Sequence, residues 1–152
     1  MRDVGQDDVG HSADKATVFR RLQRASYFLY PLVLPNAAVH KDTFAVCVAE
    51  ALALGVIVIT YKVGALAELY PEGEGIVYLP LPAHADTKAL FSNDFASDES
   101  LLSDEAVEIM KATILQLHAD QKRVISLRAR GIQWARGAYS SAKITPLWAQ
   151  LL

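Results

Sequence analysis

Apolar positions along this chain fall into two periods. Between Thr43 and Gly55, the residues Phe44, Cys47, Val48, Ala51 and Leu52 stand at i, i+3, i+4, i+7 and i+8, the spacing of one buried helical face. Thr43, whose hydroxyl can accept from a first-turn amide, is the expected N-cap, and Gly55 is the expected stop. Val56, Ile57, Val58 and Ile59 follow as an unbroken β-branched run, the pattern of a strand covered on both faces as in parallel sheets. The first half of Tyr27 to Leu34 is aromatic and apolar and predicts a strand ending near Pro31; Ile76 to Leu79, closed by Pro80 and Pro82, predicts another. Helix, tight turn and buried strand in succession predict an α/β layer architecture. Its three parallel strands lie near 27 to 31, 56 to 60 and 76 to 79, with helices on both faces.

The remaining segments read as surface helices and turns. From Asp14 to about Arg24, Val18, Phe19 and Leu22 mark one side of a short helix, and Arg20, Arg21 and Arg24 a solvated one. Tyr61 to Ala65 is a turn in which Gly64 leaves backbone room for a ligand, followed by a helical turn through Glu68. Ser103 caps a helix whose Asp104 and Glu105 suit its positive end, with Val107, Met110, Ile114 and Leu117 expected on the buried side and His118 at the C-terminus. A second helix, starting at Asp120, is basic through Lys122, Arg123, Arg128 and Arg130 and is interrupted at Gly131. The closing segment carries Ile144, Leu147, Trp148 and Leu151 at helical spacing. Residues 1–13 are rich in Asp and Gly with little to bury and are expected to be a disordered lead to one domain, 14–152.

Composition narrows the function classes. With 152 residues and 52% hydrophobic content the chain can bury a core, and 15 basic against 17 acidic residues leave no surplus that would draw a nucleic acid. Cys47, the single cysteine, sits on the apolar helix face as a small core residue, with no base nearby to activate it. The polar N-terminus is no secretory signal and no apolar run is long enough to span a bilayer, so a cytoplasmic, reducing setting is expected. Asp86, Asp94, Asp98 and Glu99 are spaced without period, as in an acidic surface loop rather than a metal site.

Candidate chemistry centres on the junction into the Thr43 helix. In open α/β sheets ligands bind beyond the carboxyl ends of the strands. Asp42 and Glu50 flank that junction, and a carboxylate accepts two hydroxyl hydrogen bonds at once, which suits vicinal ribose hydroxyls. Backbone N–H groups around Thr43, Phe44 and Ala45 are placed to meet sugar or pyrophosphate oxygens. A helix-face salt bridge is the alternative reading of Glu50.

An isolated Asp-x7-Glu is uninformative, since about two such pairs arise by chance in a chain of this composition. The ordered set is more specific: Asp42-Thr-Phe44, then Glu50-Ala51-x-Ala-x-Gly55, a buried strand, then Gly64-Ala65-x-x-Glu68. Together with YFLYP upstream and RGAYSSAKITPLWAQLL downstream, it resembles the donor-binding region of retaining GT-B glycosyltransferases of the family 4 type. The resemblance runs from about Asp14 to Leu152 and departs from the family at Asp42 for Glu, at Thr43 and Ala45 for small glycines, and at Ala65 for the second glycine of the turn.

The resemblance implies a partial Rossmann-like three-layer sandwich, the later part of a GT-B C-terminal domain, binding a nucleotide-diphosphate sugar. It implies sugar transfer with retention and with no obligatory metal or cofactor. Asp42 takes the place of the catalytic acid near the donor sugar, and Glu50 that of the acid on the ribose. Thr43, Phe44, Ala45 and Gly64 complete the implied donor site. The acceptor domain and the early donor-domain strands have no counterpart here, so a fragment or a split subunit completed by a partner chain is expected. The alternative is a non-catalytic nucleotide-sugar-binding or interaction module. Neither reading calls for nucleic acid or a transmembrane segment, and both allow contact with a membrane surface.

Overall fold

The computed structural model describes residues 14–31, 45–63, 66–83, 85 and 103–139. In chain order the elements are α1 (Lys15–Arg24), β1 (Tyr27–Tyr30), α2 (Val46–Ala53), β2 (Ile57–Tyr61), α3 (Leu66–Leu69), β3 (Ile76–Leu79), α4 (Asp104–Ala119) and α5 (Gln121–Tyr139). The three strands form one parallel sheet in the order β1-β2-β3. Tyr27 pairs with Ile57, and Val58 with Ile76, which sets the register across all three. Strands and helices therefore alternate as the hydrophobic pattern predicted, and the fold is α/β with a partial Rossmann-like arrangement.

β2 is the centre of the core. All five of its residues are buried, so the sheet is covered on both faces there, as an unbroken β-branched run requires. Its one buried polar side chain, Thr60, donates its hydroxyl proton to the Tyr30 carbonyl and so adds a tie to β1. At the sheet's edge β1 is only half-buried, and Leu29 is exposed. The Ser26 carbonyl accepts from the Ile57 amide. Alternate residues turn their N–H and C=O to the same side, so Phe28 and Tyr30 face β2 and Tyr27 and Leu29 turn theirs outward.

α2 stops where Gly55 was expected to stop it. The Gly55 amide donates to the Leu52 carbonyl at 2.9 Å and the Val56 amide to the Ala51 carbonyl at 2.9 Å, the paired bonds of a Schellman cap. Gly55 takes φ +74°, a left-handed conformation that glycine adopts without strain. At the other end the expectation fails. The helix begins at Val46, its cap position is Ala45 with no side-chain cap bond, and the capping role assigned to Thr43 therefore does not belong to this helix.

Two further expectations are corrected by packing. On α4 the fully buried residues are Ala106 and Leu117, while Val107 is 52% exposed, so the buried stripe runs one position earlier than predicted at its start. Gly131 does not interrupt α5, which continues to Tyr139. A Cβ at Gly131 would lie 3.0 Å from the Gly75 Cα and 3.3 Å from Leu52 Cδ2. Glycine is there to let α5 lie against α2 and the turn before β3, and the buried stripe Val124, Leu127, Gly131 and Ala135 follows that contact. α1 agrees with expectation: Asp14 Oδ1 accepts from the Thr17 amide at 2.6 Å, and Leu22 is buried. The predicted lead at 1–13, the acidic loop and the terminal segment with Trp148 lie outside the described residues, apart from the first few positions of that loop.

Candidate functional site

The carboxyl ends of β1 and β2 lie side by side, because the strands are parallel neighbours. From the first the chain passes to α2, and from the second through Lys62 and Val63 to α3. Both connections step in the same direction across the sheet. Of the residues expected to form the donor site, Asp42, Thr43, Phe44 and Gly64 lie outside the described residues; Ala45 and Glu50 can be placed.

Ala45 is the entry to α2. It is 1% exposed and sits at φ 47°, ψ 58°, left-handed although it is not glycine. Its carbonyl accepts from the Val48 amide at 2.8 Å and from the buried Tyr70 hydroxyl at 3.2 Å. This is the position at which the resemblance implies glycine, and the backbone conformation supplies the physical reason for one.

Glu50 lies in the second turn of α2 and is partly buried. Its Oε1 is 3.3 Å from Lys15 Nζ at the start of α1, with 24% of the Glu50 side chain and 77% of the Lys15 side chain exposed. Lys15 also stands 5.7 Å from the centre of the Phe19 ring. The carboxylate is thus engaged by an exposed surface cation, and pairs this exposed contribute about 1 kcal/mol or less.

Three aromatic residues brace this region, and sequence reasoning gave none of them a role there. Tyr70, just after α3, is buried against Trp134 and Tyr139 of α5, with ring centres 5.1 and 6.0 Å away; Trp134 and Tyr139 meet edge-on at 5.1 Å. The Tyr139 hydroxyl hydrogen-bonds the Tyr70 side chain, and burial pushes the Tyr139 phenol above its ordinary range. The Tyr78 hydroxyl of β3 lies 2.7 Å from both the Leu66 and the Tyr70 carbonyls and shares its one proton between them, at the ends of α3, while Lys62 Nζ stands 5.7 Å from its ring centre. Burial first, and the nearby Glu72 charge second, push the Tyr78 phenol up to about 12. The sequence signal for this cluster was positional: Tyr70 follows α3 directly, Tyr78 lies within β3, and Trp134 follows Gly131 by one helical turn.

A cleft of about 300 Å³ runs elsewhere, along β3 and α4, lined in part by Glu72, Tyr78, Thr113, Gln116 and Arg123. Neither Ala45 nor Glu50 lines it. Among the described residues no helix is long and apolar enough to cross a membrane. Compared with protein-family models, curated proteins and solved structures, the chain matches none.

Proposed function

We propose that this chain is the donor-binding portion of a cytoplasmic retaining glycosyltransferase that takes a nucleotide-diphosphate sugar and works with a partner chain supplying the acceptor half. The carrying observation is topological. The carboxyl ends of the adjacent parallel strands β1 and β2 lie side by side, and in open α/β sheets ligands bind beyond such ends, where the resemblance puts the donor. In this reading Asp42 is the acid at the donor sugar, and Thr43, Phe44, Ala45 and Gly64 shape the pocket around sugar and phosphates. Glu50 accepts the ribose hydroxyls. Its partial burial and its weak pair with Lys15 support that role, since a ligand displaces an exposed ammonium at little cost.

The same ion pair is what favours the second reading, a module that kept the fold for binding or interaction without turnover. Titrating uridine and guanosine diphosphates and a sugar nucleotide into labelled protein, followed by amide chemical shifts, tests the first. Binding in roughly the millimolar range is expected, about −4 kcal/mol, because on this reading the phosphate-holding cations come from the partner chain. Glu50→Gln, isosteric but with one acceptor oxygen, should weaken binding several-fold with the fold intact; Lys15→Gln should not. Equal binding by wild type and Glu50→Gln, or shifts absent between Ala45 and Glu50, would remove Glu50 from the ribose role.

A further inference from the structure

Ala45 stands in a conformation that an L-residue adopts at a penalty, and it is buried. Such a turn persists only when its surroundings hold it. Two bonds to its carbonyl do so: the Val48 amide, from inside α2, and the Tyr70 hydroxyl, from beyond α3. The first would form in any helix starting here, but the second depends on tertiary structure. A carbonyl can only accept, so in the bond to Ala45 the Tyr70 hydroxyl is the donor, and Tyr139 pairs with the same Tyr70 side chain. The Tyr70 ring is fixed by Trp134, and its own backbone carbonyl by the Tyr78 hydroxyl.

We propose that Tyr70 is a positioning residue, a latch that holds the left-handed entry turn of α2 and couples it to the last turns of α5. This rests on the donor-site reading only for its consequence: the turn it holds aims the first amides of α2. The structural coupling stands without that reading. Through Trp134 and Tyr139 the state of the α5 C-terminus reaches the α2 entry turn, so a partner that moves that end changes how the α2 amides are presented.

The test is a rescue cycle on the full chain with Tyr70→Phe, Ala45→Gly and the double variant. The backbone at position 45 is followed through the Val46 and Val48 amide shifts and the H–N–Cα–H coupling at that position, together with thermal melts. Tyr70→Phe, which keeps the ring in place, should move the position 45 coupling towards negative φ and lower Tm by about 2–4 °C, as expected for one buried hydrogen bond in a chain this size. Ala45→Gly should hold the turn on its own, so adding Tyr70→Phe to it should leave the Val46 and Val48 shifts near wild type. Tyr139→Phe should move the same signals in the same direction but less. The latch is overturned if Tyr70→Phe leaves position 45 unchanged, or if its effect is the same size with glycine at that position. Nucleotide titration of the same proteins separates the two claims. If wild type binds, Tyr70→Phe should weaken binding about threefold to tenfold and the double variant should recover it, and binding unchanged by Tyr70→Phe overturns the link to the donor site. If wild type itself does not bind, the donor-site reading fails while the rescue cycle still decides the latch.

Discussion

Two glycines in one helix respond oppositely to the same substitution if the packing described here is right. Helix propensity alone predicts that Gly→Ala in α5 stabilises by about 0.5–1 kcal/mol at either Gly131 or Gly137. At Gly137 a Cβ meets nothing within 4 Å, so that gain should be kept, reduced somewhat by fraying near the helix end. At Gly131 the Cβ would sit 3.0 Å from a backbone Cα, that of Gly75, and 3.3 Å from Leu52 Cδ2. Backbone cannot rotate away, so helix and turn must separate, and overpacking of this kind costs about 1–3 kcal/mol. Subtracting the propensity gain leaves Gly131→Ala roughly 1–2 kcal/mol less stable than wild type. At about 2–4 °C per kcal/mol for a chain this size, Tm should fall by a few degrees for Gly131→Ala and rise by about 1–3 °C for Gly137→Ala. Gly75→Ala should be worse than either. Its Cβ would come within 2.6 Å of Gly131 Cα, and φ there is +81°, adding about 1–2 kcal/mol of left-handed strain. Thermal melts followed by circular dichroism measure all three. An increase in Tm for Gly131→Ala equal to that for Gly137→Ala would mean that α5 does not touch the Gly75 turn, and would refute the packing argument.

Gly55→Ala should destabilise by about 1–2 kcal/mol, because the Schellman cap needs φ +74° and the new methyl presses on Ile132 Cδ1 at 3.1 Å; denaturant midpoints check it. The Tyr78 phenol, pushed up to about 12 in the fold against an ordinary value of 10.0, contributes stability that is complete below pH 10 and lost as pH rises towards 12. Tyr78→Phe should start about 1 kcal/mol lower for the loss of its one shared hydrogen-bond proton and should lack that alkaline dependence in pH-resolved melts. Asp14, lowered from 3.8 chiefly by the Thr17 backbone bond, stabilises α1 above that pH and ceases to do so as pH falls below it. The Thr17 amide shift should titrate in that acidic window and be flat in Asp14→Asn.

What could be read from the chain alone follows from the range of the forces involved. The β2 run and the Gly55 stop were readable because a buried strand and a left-handed helix end each demand particular residue types within a few positions. The helix start was misread for a related reason. Thr43 is the better cap by propensity, yet the cap position is Ala45, whose left-handed turn is braced by Tyr70 from a distant part of the chain. Gly131 looked like a break because propensity is local, whereas its purpose is the approach of Gly75. Val107 was placed on the buried face of α4 by periodicity, but Ala106 took the contact and left Val107 in solvent. Of the candidate site, Glu50 was identifiable as an acid on a partly apolar helix; its partner Lys15 was not, because nothing in local pattern links α1 to α2.

The position of α2 is therefore set largely by α5, and this bears on how the site could work. Leu52 meets the Gly75–Gly131 contact in the last turn of α2, Ile132 lies against Gly55 just beyond it, and Tyr70, backed by Trp134 and Tyr139, grips its entry turn. Contacts at both ends of an eight-residue helix fix its axis as well as its distance from α5. A donor site on the first amides of α2 would then be rigid with respect to α5 and the sheet, the arrangement that holds a ligand with least loss of order on binding. By contrast, among the described residues the Glu50 carboxylate is tied to an exposed lysine, so it is the adjustable part. Phosphate placement by backbone and hydroxyl recognition by a movable carboxylate would separate: substitutions in α5 should disturb the former, and Glu50→Gln only the latter.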